Sequence, residues 1–78
     1  MDPHIKMGKR LGQNISKARG AKNLTQEQVA TKLQLLGCDM SRSTYGKIEA
    51  GIRHISVEEL EAIKTVLDMR YEDFFLHE

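Results

Sequence analysis

Apolar residues recur along the chain at intervals of three and four, the spacing of one face of an α-helix. No segment shows the strict alternation of a β-strand. The clearest early helix covers residues 6–22, with a predicted buried stripe of Leu11, Ile15 and Ala18. Asn23 is suited to close this helix in the left-handed conformation. The pattern therefore predicts an all-α fold.

Residues 1–7 precede that stripe and are predicted to form either an N-terminal arm or an extension of the first helix. Asp2 followed by Pro3 suits a helix start, because proline is favoured at the first helical position. With 78 residues in total, the chain is assigned to a single domain, 1–78.

Thr25 and Gln28 have the spacing of a capping box, in which side chains and backbone N–H groups bond reciprocally at a helix start. They predict a second helix from Gln26 to about Leu36, ended by Gly37. Its inner face comprises Val29, Ala30 and Leu33.

Ser56 and Glu59 repeat the capping-box spacing and predict a fourth helix that ends near Asp68. Its inward positions are Leu60, Ile63 and Leu67, with Val57 and Val66 at the edges of that stripe. A short fifth helix is predicted from Tyr71 to Leu76.

Between these helices, the segment 41–51 predicts a short third helix with Ser41 as N-cap and Gly51 as its stop. Tyr45 and Ile48 face the core. The opposite face carries Arg42, Ser43, Gly46 and Lys47. Cationic donors with almost no carboxylate suit base-pair edges in a DNA major groove, although an ordinary amphipathic surface helix has the same pattern. Helices two and three together predict a helix-turn-helix.

Composition excludes several classes of protein. Cys38 is the single cysteine, so an intrachain disulfide is excluded, and the three histidines show no metal-ligand spacing. No apolar run approaches the ~20 residues that span a bilayer, and the first residues do not resemble a signal peptide. We therefore expect a cytoplasmic protein without a metal or a membrane partner.

The net charge of +1 conceals a strong asymmetry. Residues 1–53 hold ten Lys or Arg and four Asp or Glu, whereas residues 54–78 hold two and seven. The first part therefore suits a polyanionic partner. We find no carboxylate pair, activated nucleophile or phosphate loop, and so expect no enzymatic role, no cofactor and no small-molecule substrate.

Several segments, taken in order, have the spacing of a known family. They are Leu11, Ile15 and Arg19; residues 24–30; residues 41–44 and 47–51; Ser56 and Val57 with Leu60, Ile63 and Leu67; and residues 71–75. Over residues 8–76 this arrangement resembles the Cro/lambda-repressor-like, or XRE, helix-turn-helix family. The resemblance implies a five-helix lambda-repressor-like domain, with a helix-turn-helix at helices two and three. It also implies a transcriptional regulator that binds double-stranded DNA as a homodimer on a near-palindromic operator.

The resemblance also implies roles for individual residues. Those at base-reading positions are Arg42, Ser43 and Lys47. Gly46 lies on the same face but departs from the family, and it is assigned to base reading because a glycine would let the helix approach DNA closely; the alternative is that it has no role. Those at phosphate-contacting positions are Gln26, Thr25, Thr44 and Arg53, with Thr25 chiefly a helix cap. Arg19 and Glu49 match a pair that bridges helices one and three. Phe74, Phe75 and Leu76 offer more apolar surface than one short helix needs. Some of these three residues are therefore expected to cover a dimer interface, the alternative being that they only close the core.

The chain departs from the family in the connection between helices two and three, where residues 34–39 add about five positions. Either helix two runs one turn longer and Met40 keeps a core position, or helix three is rotated and the base-reading assignment changes. The alternative function is an antitoxin-type interaction module, whose main partner is a toxin and which also regulates its own operon.

Overall fold

The structure is a computed structural model that describes the backbone of residues 3–76 and the side chains of residues 9–76. Within that range it consists of α-helices and has no strand, so the predicted all-α fold is confirmed. The helices are α1 (Pro3–Ala21), α2 (Gln26–Leu35), α3 (Arg42–Glu49), α4 (Val57–Leu67) and α5 (Tyr71–Phe74). Among the described residues, no helix is both long enough and apolar enough to cross a bilayer.

The predicted caps start three of these helices. Thr25 and Ser56 each form a complete capping box, with Gln28 and Glu59 respectively. Ser41 caps α3, its hydroxyl oxygen accepting a hydrogen bond from the Thr44 backbone N–H at 3.1 Å. The predicted opening of α1 at Asp2 lies outside the described residues.

Left-handed residues follow the helices at the predicted places. Asn23 (φ 57°) follows α1 and Asp68 (φ 55°) ends α4, while Gly37 (φ 87°) and Gly51 (φ 77°) follow α2 and α3. A positive φ turns the chain out of the helix and frees its last carbonyls for other donors. These local signals fix the ends of four helices.

The core lies where the helices meet. α1 packs against α3 and α5, and α2 packs against α3 and α4, so α3 is held on two sides. The core comprises Ile15, Val29, Leu33, Met40, Tyr45, Ile48, Ile63, Leu67, Met69 and Phe74. Leu11, Ala18, Leu60 and Val66 pack against it while partly buried.

The long connection between α2 and α3 leaves Met40 in the core, 2% exposed. The Cys38 N–H bonds to the Leu33 carbonyl at 2.9 Å, and the Gln34 amide donates to the Met40 carbonyl at 3.3 Å. These contacts agree with the first of the two alternatives for the connection. The additional length leaves Leu35 82% exposed.

Two predictions near the helix termini were wrong. Val57 is 74% exposed rather than at the edge of the buried stripe. α5 stops at Phe74 rather than Leu76. The Asn14 side chain of α1 donates to the carbonyls of Phe74 (2.8 Å) and Leu76 (3.2 Å), which holds the chain end on α1.

The three residues considered for a dimer interface therefore differ in burial. Phe74 is fully buried in the core and unavailable to a partner, which corrects its assignment to an interface. Its ring lies 6.4 Å from that of Phe75, centroid to centroid. Phe75 and Leu76 remain 45% and 49% exposed.

Candidate nucleic-acid interface

The third helix presents one apolar and one polar face, as predicted. Tyr45 and Ile48 are buried, whereas Arg42, Ser43 and Lys47 are exposed. None of these three exposed side chains forms a hydrogen bond or ion pair with another described residue. Their donors are therefore available to a ligand outside the chain.

Thr44 lies at the border of this surface and is half-buried. Its hydroxyl oxygen accepts a hydrogen bond from the Ser41 hydroxyl at 3.1 Å, while its backbone N–H donates to the same Ser41 oxygen. A phosphate contact from Thr44 would therefore share its hydroxyl with the cap of α3.

The start of α2 faces the same region as α3. The Thr25 hydroxyl accepts from the Gln28 N–H at 3.0 Å, and the Gln28 amide oxygen accepts from the Thr25 N–H at 2.8 Å. The next residue, Gln26, turns its amide onto α3, where Nε2 donates to Glu49 Oε1 at 3.0 Å. The first turn of α2 is thus attached to α3.

Arg19 and Glu49 are brought together across α1 and α3. Arg19 Nε donates to Glu49 Oε2 at 2.7 Å and Nη2 donates to Oε1 at 3.1 Å, a two-pronged pairing. The third guanidinium nitrogen donates to the Leu24 carbonyl at 2.9 Å. One side chain therefore ties α1 to α3 and to the loop before α2.

The electrostatics of this cluster follow from its burial. Burial alone would raise the pKa of Glu49, but its hydrogen bonds, led by that from Arg19, outweigh burial and hold the pKa below the usual value. The Tyr45 hydroxyl is buried against this pair without a hydrogen-bond partner among the described residues. Burial raises the pKa of Tyr45 far above its ordinary value, so the phenol stays neutral.

Arg53, expected to contact phosphate, has another partner in the structure. It donates to both carboxylate oxygens of Glu59 at 2.9 and 3.0 Å, and also to the His54 carbonyl. The Arg53 hydrogen bonds lower the pKa of Glu59. Its side chain is 37% exposed, so contact with a phosphate would require Arg53 to share or leave this carboxylate.

One feature of this surface was not predicted from the sequence. An open groove of about 830 Å³ runs between α1 and the Gln26–Gly46 contact, and its α1 side includes Arg10, Gln13 and Lys17. A signal was present in the sequence: residues 3–26 contain six Lys or Arg and no Asp or Glu. The groove extends the polar, cationic surface beyond α3.

No cluster of three or more His, Cys, Asp or Glu side chains with metal-binding geometry occurs among the described residues. Cys38 is a half-buried free thiol whose pKa is raised by burial.

Comparison with known proteins gave two findings. A family model described as helix-turn-helix (HTH_3) matches residues 15–74. The crystal structure of the restriction-modification controller protein C.AhdI from Aeromonas hydrophila is similar, with a TM-score of 0.81 and 29% sequence identity. That match covers 96% of this chain and 100% of the other. A search of curated protein sequences gave no match.

Proposed function

Because the chain belongs to the XRE-like helix-turn-helix family of DNA-binding regulators, we propose that it binds a specific duplex sequence as a homodimer and thereby regulates transcription. The observation that carries this proposal is the exposed polar face of α3. Arg42, Ser43 and Lys47 lie free on a helix whose other face is fixed in the core. Arg and Lys can donate to the O6 and N7 atoms of guanine in a major groove.

Phosphate contacts are proposed for the first turn of α2 and the borders of α3. Unpaired backbone N–H groups at the start of a helix attract anions, and Gln26 adds a side-chain amide there. Thr25 and Thr44 lie at helix starts, and Arg53 follows α3, so these residues would bind the strands beside the groove. Such contacts fix the register of the protein, while α3 reads the sequence.

A homodimer is proposed because near-palindromic operators are read by two-fold symmetric proteins. With Phe74 buried, the surface available for pairing near the chain end is Phe75 and Leu76, both about half exposed. Each protomer would then place its α3 in a successive major groove, about 34 Å apart.

The relative of known structure is named a restriction-modification controller, so restriction-modification genes are the proposed target of regulation. In the antitoxin alternative, a protein partner would cover an apolar surface such as the exposed Leu35 and Leu36 at the end of α2. Nothing about the named relative favours that alternative, and we therefore place operator binding first.

The test is selection of duplexes from a random oligonucleotide pool. We expect the wild-type protein to enrich a near-palindromic sequence, with an affinity that falls steeply as salt rises because bound phosphates release counterions. Arg42→Ala should lower the affinity for that sequence by about 1–3 kcal/mol and relax preference at one base position in each half-site. Gln26→Ala should weaken binding to all sequences alike.

Lys32→Ala is a matched control, because it removes one exposed cation from α2 outside the described interface. It should leave the selected sequence and its affinity unchanged. An unaltered base preference in Arg42→Ala would show that α3 does not read DNA through that side chain.

A further inference from the structure

Gly46 and Glu49 lie three residues apart on α3, on the side that faces the start of α2. The Gln26 side chain of α2 packs against both residues. Its Nε2 donates to Glu49 Oε1 at 3.0 Å, and its Oε1 would lie 3.2 Å from a Cβ built on Gly46. A side chain at position 46 would therefore crowd the amide and require it to move by a few tenths of an ångström.

The charge of Glu49 determines which way this amide points. A carboxylate accepts hydrogen bonds and cannot donate them, so it selects the nitrogen end of the Gln26 amide and directs the oxygen toward Gly46. Arg19 keeps Glu49 in place and ionised through its two-pronged pairing. One hydrogen of Nε2 is used in this contact, and the second is left without a partner among the described residues.

We propose that Gly46 is a positioning residue for DNA binding, in that its missing side chain gives the Gln26 amide a fixed place on the base-reading helix. This inference rests on the proposed function. The held amide keeps its second N–H, together with the unpaired backbone N–H groups of the first turn of α2, in place for one DNA phosphate. The phosphate contact of α2 and the base contacts of α3 are then locked into one register.

A different role for Gly46 would be direct close approach of α3 to the base pairs. The two roles make opposite predictions when Gln26 is removed. If Gly46 acts through Gln26, a substitution at position 46 has no further effect once the Gln26 amide is absent. If Gly46 acts by direct approach to DNA, the same substitution weakens binding whether or not Gln26 is present.

The experiment is a double-mutant cycle with Gly46→Ala, Gln26→Ala and the double variant, using the duplex that the wild-type protein selects from a random pool. We expect Gly46→Ala to weaken binding about three- to ten-fold, the worth of one hydrogen bond. In the Gln26→Ala background, the same change should alter affinity less than about two-fold. In that background, adding Gly46→Ala should leave the thermal midpoint unchanged or raise it, because alanine favours a helix over glycine.

Gly20→Ala is the matched control, since a Cβ there meets nothing within 4 Å. It should leave the affinity for the selected duplex unchanged. The Gln26 side-chain amide signals in a ¹⁵N–¹H spectrum give a second readout without DNA. They should move in Gly46→Ala and Glu49→Gln but stay fixed in Gly20→Ala.

Equal losses of affinity for Gly46→Ala in both backgrounds would overturn the inference and leave the proposed function intact. The inference would also be overturned if the Gln26 amide signals did not move in either Gly46→Ala or Glu49→Gln. This readout needs no DNA, so it applies even if a variant binds the duplex too weakly for the double-mutant cycle. Failure of the wild-type protein to enrich any duplex would instead refute the proposed function, and the inference with it.

Discussion

Two glycines of α1 have opposite surroundings and form a matched pair. A Cβ on Gly12 would lie 2.5 Å from the Ile48 carbonyl oxygen and closer still to that of Glu49. A Cβ on Gly20 would meet nothing within 4 Å. The absence of a side chain at Gly12 therefore allows α1 to pack directly on the backbone at the end of α3.

We expect Gly12→Ala to lower the free energy of unfolding by about 1–3 kcal/mol, because backbone atoms cannot move aside as a flexible side chain can. Gly20→Ala should instead raise it by about 0.5–1 kcal/mol through helix propensity. Urea unfolding of both variants measures the difference. Equal shifts of the two variants would mean that α1 and α3 do not approach as closely as the structure has them.

The short helix α3 is an element that depends on its neighbours. With eight residues it is too short to be stable alone in water, so packing and hydrogen bonds from other helices must hold it. α1 supplies the Arg19 pairing with Glu49, and α2 supplies the Gln26 contact to the same carboxylate. The orientation of the exposed polar face of α3 therefore depends on one carboxylate, that of Glu49, which binds side chains of α1 and α2.

We expect Arg19→Ala to destabilise the fold by about 1.5–3 kcal/mol, because it leaves the carboxylate of Glu49, only 6% exposed, without its charged partner. It should also weaken binding to the selected duplex. Arg19→Lys keeps the charge but loses the two-pronged geometry, and should fall between wild type and Arg19→Ala. Thermal scans of the three proteins test this, and an unchanged midpoint for Arg19→Ala would contradict it.

At the scale of the whole molecule, carboxylates with lowered pKa values link stability to pH, and Glu49 and Glu59 are the two that are paired with an arginine of another segment. The pKa of Glu49 and that of Glu59 both lie below the reference value of 4.5 in the folded chain. A carboxylate whose pKa is lower in the folded chain than in the unfolded chain stabilises the fold at pH values above its unfolded pKa. This stabilisation is lost as the pH falls through its folded pKa.

We therefore expect the free energy of unfolding to decline as pH falls from about 4.5. Glu59→Gln removes one titrating partner and should make this decline shallower, while lowering stability at neutral pH. Urea unfolding across a pH series would measure both slopes. Parallel slopes for wild type and Glu59→Gln would exclude a contribution from the Arg53–Glu59 pair.

The proposed dimer is also a property of the whole molecule. Phe75→Asp should shift the protein toward monomer in sedimentation equilibrium and weaken operator binding, because a charge would then lie in the apolar contact. Val57→Asp is the matched control, since Val57 is an apolar residue that is 74% exposed. It lies at the first residue of α4, about 15 Å along that helix from Leu67, the last residue before the turn into α5. A wild-type protein that stays monomeric at high micromolar concentration would remove this role for Phe75.

The sequence by itself determined the helices, because the signals that start and end them are local. The Thr25 and Ser56 capping boxes and the left-handed Asn23 and Gly51 involve atoms only a few residues apart. Helical spacing likewise identified Tyr45 as a core residue.

The tertiary structure decided what each polar side chain contacts. Gln26 lies 23 positions from Glu49 in the chain, and Asn14 lies 60 from Phe74, so no local pattern could specify either pair. The burial of Phe74 and the pairing of Arg53 with Glu59 depend in the same way on how helices and loops pack. Periodicity shows which face of a helix is apolar, but only packed neighbours determine how much of that face is covered and which donors remain free.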